Sequence, residues 1–278
     1  MATLSPDQLV AGYQGATESV RARVLAYASS LWMGSPGFRD ADVERLIARI
    51  VPVVQAGQVQ VAQITDSYVA RMAILAGVTS SAGVDAAAIT GYRGVAAEVV
   101  YRRPAVSVYT ALAKGETFAT ASAFGLQRLT SIISTDVQQA SNRQATKSIG
   151  GSGFSGARRV LSGAENCAFC VIASTQRYRK TELMPLHPGC DCKVRPFTES
   201  SDPGQVLDQR LLDQTHDLID AKLNFKDRNA RNLGNEKFST KGQPISDFTD
   251  LIVTNNHGEL GPTLGWRVDT FTGPKGLI

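Results

Sequence analysis

A chain of 278 residues with 43% hydrophobic side chains can bury a sizeable core, in one large domain or two modest ones. No run approaches the roughly 18 uncharged apolar residues that a membrane-spanning helix needs, so no membrane partner is expected. The opening Met1-Ala-Thr-Leu-Ser-Pro-Asp7 lacks the basic and apolar regions of a signal peptide, which points to synthesis in a cytosol, and the net charge of +4 is too small by itself to mark a nucleic-acid binder.

Residues 1–149 read as helix. Ser5-Pro6-Asp7 places a capping serine before a proline at the first helical position. Val20, Val24, Ala28, Leu31 and Trp32 then recur at helical spacing until Gly34-Ser35-Pro36-Gly37 interrupts them. A second helix is predicted from about Asp40 through Leu75, with Pro52 as a kink near its start. Ala82–Ala88 reads as a short helical piece, and Arg103-Pro104 as the opening of another. Thr117 can cap a long helix that runs through Leu129 and Ile133 into the polar stretch 138–147. Such helices bury a narrow stripe on one another and bring no recognisable pocket chemistry.

Residues 150–156, Gly-Gly-Ser-Gly-Phe-Ser-Gly, are expected to be a flexible hinge. Behind it lies a small module, 157–198, with a strand at Ala157–Leu161, a short helix over Cys167–Tyr178 and a closing strand over Cys192–Phe197. Region 199–278 begins with an amphipathic helix over about 205–223, carrying Leu207, Leu211, Leu218 and Leu223 on its apolar face. An irregular tail follows, with a strand at about 251–254. The expected fold class is therefore mainly α with a small α+β cysteine module.

All four cysteines fall within 167–192, together with one of the three histidines. Cys167-x2-Cys170 followed by His187-x2-Cys190-x-Cys192 is metal-ligand spacing, and Zn2+ in a structural site takes four such ligands. Five candidates compete for the four positions: both thiolates of the second pair complete an all-sulfur site, and His187 with one of them gives three sulfurs and an imidazole. A pair of disulfides and a set of reduced, packed thiols are the two other readings. Catalytic zinc needs an open position and a base, and Glu182 is the sole carboxylate between the pairs.

The same module is the most basic part of the chain. Residues 151–198 hold 7 Lys/Arg against 3 Asp/Glu, whereas 1–150 hold 13 against 10 and 199–278 hold 9 against 12. Arg158, Arg159, Arg177, Arg179 and Lys180 are the candidate nucleic-acid-binding residues, set against the plainer reading of a solvated charged surface. No catalytic residues are assigned: GxSxG, P-loop, HExxH and GxGxxG patterns are absent, and nothing places His216 or His257 beside a serine.

Cys167-Ala-Phe-Cys170, Arg177-Tyr178 and Leu183-Met-Pro-Leu-His187-Pro-Gly-Cys-Asp-Cys192 resemble the phage Mu F-like (MuF) minor head protein module. The likeness is strongest to the versions in tailed phages of actinobacteria. His257-Gly-Glu-Leu-Gly-Pro262 and Phe271-Thr-Gly-Pro274 resemble the C-terminal signature of the same proteins, so the likeness covers about 155–278. It implies a minor capsid protein that joins the portal inside the procapsid, beside major capsid or scaffolding protein. Such a protein acts in head morphogenesis, DNA packaging or ejection, and lies in the virion after assembly in the host cytoplasm. Similar phage proteins are also described as capsid maturation proteases, which is the alternative, and a virion-internal DNA-binding protein is a third.

Overall fold

The computed structural model describes residues 4–80, 83–161, 168–180, 192–202, 210, 213, 217, 252–257 and 261–266. The chain divides into two compact units, Met1–Phe154 and Ser155–Ile278. The fold is mainly helical with a small three-stranded antiparallel sheet, in agreement with the class read from the sequence.

The first unit is built from α1 (Pro6–Met33), α2 (Asp40–Ala76), the short α3 (Ala86–Thr90), α4 (Ala97–Ala113) and α5 (Phe118–Gly150). The start of α1 is fixed as the residues dictate: Ser5 accepts from the Gln8 amide, and the Gln8 side chain accepts from the Ser5 amide in return. Thr117 caps α5 in the same sense, accepting from the Thr120 amide at 3.2 Å. Gly77 ends α2 with φ of +66°, the left-handed backbone that glycine adopts without a Cβ penalty. Pro52 is tolerated inside α2, where it is exposed.

Apolar stripes of α1, α2, α4 and α5 meet in one core that includes Val20, Val24, Trp32, Ile50, Val54, Val61, Val100, Val108, Leu129 and Ile133. Each such side chain contributes about 1.5–3 kcal/mol relative to exposure. At one end, Trp32 stacks on Phe38 at 4.3 Å and donates from Nε1 to the Ser122 carbonyl at 3.1 Å. Gly125 makes this approach feasible. A methyl there would collide with the Trp32 ring, lie 2.6 Å from Val108 Cγ2, and sit 3.0 Å from the Pro104 carbonyl oxygen.

Two features of this unit differ from expectation. Pro104 does not open a helix; α4 begins at Ala97, and Pro104 is buried at its middle. The polar stretch of α5 is also buried: Gln138, Gln139, Ser141, Asn142, Gln144 and Ser148 are all 6% exposed or less. Hydroxyls and amides replace an apolar stripe here. Tyr13 Oη and Ser141 Oγ are 2.6 Å apart, while Ser148 Oγ and Gln144 Nε2 both donate to Asp66 Oδ1, at 2.7 and 3.2 Å.

Asp136 is a heavily bonded buried group. Its Oδ1 accepts from Tyr92 Oη at 2.7 Å and from Arg93 Nη2 at 2.7 Å, and its Oδ2 accepts from Tyr101 Oη at 2.7 Å. Burial, then the Asp136 charge, pushes the Tyr92 and Tyr101 phenols well above the ordinary tyrosine range. Burial works against the Arg93 charge too, but Asp136 and the two tyrosines outweigh it and hold Arg93 above its usual value.

The residues of the predicted hinge hydrogen-bond within their own units. Gly150 closes α5, Ser152 bridges to Ser80, and the Gly153 amide donates to the Thr79 carbonyl at 2.9 Å. Phe154 is 1% exposed, and the Ser155 amide donates to the Phe197 carbonyl in the second unit's own sheet.

In that second unit, β1 (Gly156–Val160) is the central strand, flanked by β2 (Arg177–Arg179) and β3 (Lys193–Phe197), both antiparallel. The helix read over 167–178 is shorter than expected: α6 covers Ala168–Ser174, and 177–179 turn into β2. Arg210, Asp213 and Asp217 are helical and exposed, at the spacing of one polar face. The single strand expected near 251 is a hairpin of β4 (Ile252–His257) and β5 (Gly261–Trp266). The remainder of the predicted 205–223 helix and the rest of the tail lie outside the described residues.

Candidate metal centre and basic sheet face

Two strand faces divide the work of the second unit. Side chains alternate across a strand, so Ala157 and Arg159 share one face of β1 while Arg158 and Val160 share the other. The inner face is tightly buried: Ala157 is 1% exposed, Arg159 2%, Tyr178 5% and Val194 1%. Gly156 must be glycine, because a Cβ would strike the Tyr178 carbonyl.

Arg159 is therefore not a surface cation. Its Nη1 lies 3.8 Å from Cys192 Sγ, and its guanidinium carbon sits 5.1 Å over the Tyr178 ring. Tyr178 Oη donates in turn to the Ala173 carbonyl of α6 at 2.9 Å. Cys170, on α6, and Cys192, just before β3, are both buried. Tyr178 senses this cluster. Burial pushes its phenol up, Arg159 pulls it down, and Cys192 and Cys170 both add to the upward push.

The structure thus brings two of the five metal-ligand candidates, Cys170 and Cys192, into the environment of one buried tyrosine. Cys167, His187 and Cys190 lie outside the described residues, and among the described residues no group of three or more His, Cys, Asp or Glu side chains gathers. The donor chemistry present fits a soft-ligand site: two buried sulfurs with a guanidinium N–H directed at one of them, the kind of outer contact that orients and stabilises a thiolate.

The opposite face carries Val160, the buried Phe197 and five cations, of which Arg177 and Arg179 are exposed and Arg158, Lys193 and Arg195 half-buried. Register sets Arg158 directly across from Arg177 on β2 and from Arg195 on β3, a row of three arginines across three strands. Arg179, opposite Gly156, and Lys193, opposite Val160, extend that face. Like charges placed directly opposite cost about 0.2–1 kcal/mol per pair. Asp202 accepts from Arg177 Nη1 at 2.6 Å and offsets part of that cost. Of the five residues read as nucleic-acid-binding, Arg158, Arg177 and Arg179 share this face, Lys180 follows β2 in a turn, and Arg159 points the other way. Arg195 and Lys193 join the face although they were not in that set. The alternation around buried Val194 is the sequence signal that places them.

Elsewhere, a groove of about 480 Å³ in the helical unit runs between α1 and α2 over the stacked rings of Tyr13 and Tyr68, with Arg71 at its side. Its lining has no histidine, cysteine or carboxylate, so it offers no acid–base or nucleophilic pair. His257 occupies β4 opposite Gly261; Gly258 and Glu259 lie outside the described residues, as does His216. No helix among the described residues is long and apolar enough to cross a membrane. Comparison with known proteins finds no family model, no curated protein and no solved structure that matches the chain.

Proposed function

We propose that the chain is a minor capsid protein of a tailed bacteriophage. It acts in head assembly near the portal on the procapsid interior, with portal and major capsid or scaffolding protein as its partners. The observation that carries this reading is the ordered set Cys167-Ala-Phe-Cys170, Arg177-Tyr178 and Leu183–Cys192, with its likeness to the Mu F-like module. A helical unit joined to a small cysteine-bearing sheet unit is compatible with that architecture.

Zn2+ belongs to the same reading, with Cys170 and Cys192 as two ligands and two more drawn from Cys167, His187 and Cys190. Bound there, the metal supplies cross-linking between α6 and the start of β3, which is folding energy for a small unit. Elemental analysis of the purified chain is expected to return one zinc per chain, and Cys170→Ser with Cys192→Ser to abolish it. A metal-free wild-type chain removes zinc from the proposal and leaves the capsid role standing.

The capsid role is tested in the particle. Purified virions are expected to contain the protein in fixed stoichiometry, with density beside the portal. His216→Ala and His257→Ala are expected to leave capsid-protein processing intact. Loss of processing in either variant would move the assignment to a maturation protease.

A further inference from the structure

Five cations, Arg158, Arg177, Arg179, Lys193 and Arg195, share one face of a three-stranded sheet, and three of them stand in a straight cross-strand row. Strands in a sheet are spaced about 4.8 Å apart, so the row sets the backbone of three arginines at a short and regular interval. A surface built only for solubility mixes signs. Among the described residues, the charged side chains at these register positions are all cations, repeated where pairing geometry makes repetition unfavourable. Arg177 is 55% exposed at its side chain even with Asp202 beside it. The buried Arg159 beneath takes no part, being engaged with Cys192 and Tyr178.

We infer that the outer face of β2-β1-β3 is a binding site for the phosphate backbone of a nucleic acid, with Arg158, Arg177 and Arg195 as its central row and Arg179 and Lys193 at its margins. Planar guanidiniums meet phosphate oxygens in bidentate fashion, and a regular row of them matches a polymer whose charges repeat regularly. Backbone contacts of this kind position a nucleic acid and carry no sequence information, so binding is sequence-independent. This assignment does not rest on the capsid role: the site exists or fails in the purified chain, whatever particle contains it.

The test is fluorescence anisotropy of the full-length chain with a labelled random-sequence duplex of about 30 base pairs, between about 50 and 200 mM salt. Wild-type affinity is expected to fall steeply with salt. Arg158→Glu with Arg195→Glu is expected to weaken binding by more than about tenfold and to flatten the salt dependence by one to two phosphates' worth, about 1 per lost contact in log–log slope. Arg158→Lys with Arg195→Lys, which keeps the charge, retains most of the affinity and guards against a folding artefact. Arg71→Glu, an equal charge change on the helical unit, is expected to leave affinity within about twofold. The assignment is overturned if the double reversal binds like wild type, or if Arg71→Glu weakens binding as much. It is overturned equally if the wild type fails to bind at the lowest salt, or if polyglutamate of matched charge displaces the duplex as well as unlabelled duplex does.

Discussion

Among the described residues, Asp136 in the helical unit and Arg159 in the sheet unit are both deeply buried, and the two charges are handled in opposite ways. Asp136, in the helical unit, is surrounded by oxygen and nitrogen donors: Arg93 and the hydroxyls of Tyr92 and Tyr101. Arg159, in the sheet unit, is faced by a sulfur and a ring. The first arrangement is closed, because both carboxylate oxygens already have strong partners. The second uses soft partners that can also bind a metal. The two charges are thus distinguished by the chemistry of their neighbours, since both are equally buried.

The contrast can be broken experimentally. Asp136→Ala strands a buried guanidinium and two phenols and is expected to destabilise the helical unit by about 3–5 kcal/mol, read as a shift in the urea midpoint. Arg159→Ala removes a packed stem and the stacked guanidinium, with an expected loss of about 3 kcal/mol in the sheet unit. It also takes away the group that draws the Tyr178 phenol down, so the Tyr178 titration followed by ultraviolet absorbance moves upward.

Raising the pH sharpens the comparison. Tyr92, Tyr101 and Tyr178 all have phenols held above the unfolded value of about 10. Beyond about pH 10 the unfolded chain releases protons that the folded chain keeps, so stability is complete below that pH and falls as pH rises. Each unit of pKa elevation is worth up to about 1.4 kcal/mol. The helical unit has two such phenols near Asp136 and the sheet unit one that Arg159 partly relieves, so the helical unit is expected to lose stability faster between pH 9 and 11 in urea titrations. The smallest effect is expected at Arg177–Asp202: Arg177→Ala costs under about 1 kcal/mol, and added salt shrinks the difference further.

Much of the helical unit was legible in the chain because its signals are local. Ser5 with Gln8, Thr117 with Thr120, and the glycine break before Asp40 each act within one turn. Pro104 misled because proline favours the first turn of a helix, whereas here it is buried at the middle of α4, with its carbonyl oxygen close to Gly125 of α5. The burial of 138–148 was hidden for a different reason. Ser141 finds a partner in Tyr13, and Gln144 and Ser148 in Asp66, which are more than 75 residues away and give no local sign. In the sheet unit, the inward turn of Arg159 was in fact readable: it shares the parity of Ala157, and in a strand with one buried face that parity decides. The remainder of the metal-ligand set, Cys167, His187 and Cys190, is carried by spacing alone.

The packing of Trp32 has a practical use. The chain has two tryptophans, Trp32 in the helical unit and Trp266 on β5 in the other. Trp32 is 3% exposed, stacked on Phe38 and hydrogen-bonded through its indole, so loss of the helical core changes its emission abruptly. A Trp32→Phe chain and a Trp266→Phe chain therefore give two optical views of one molecule. Recorded side by side, they report whether the two units melt in a single transition or in succession.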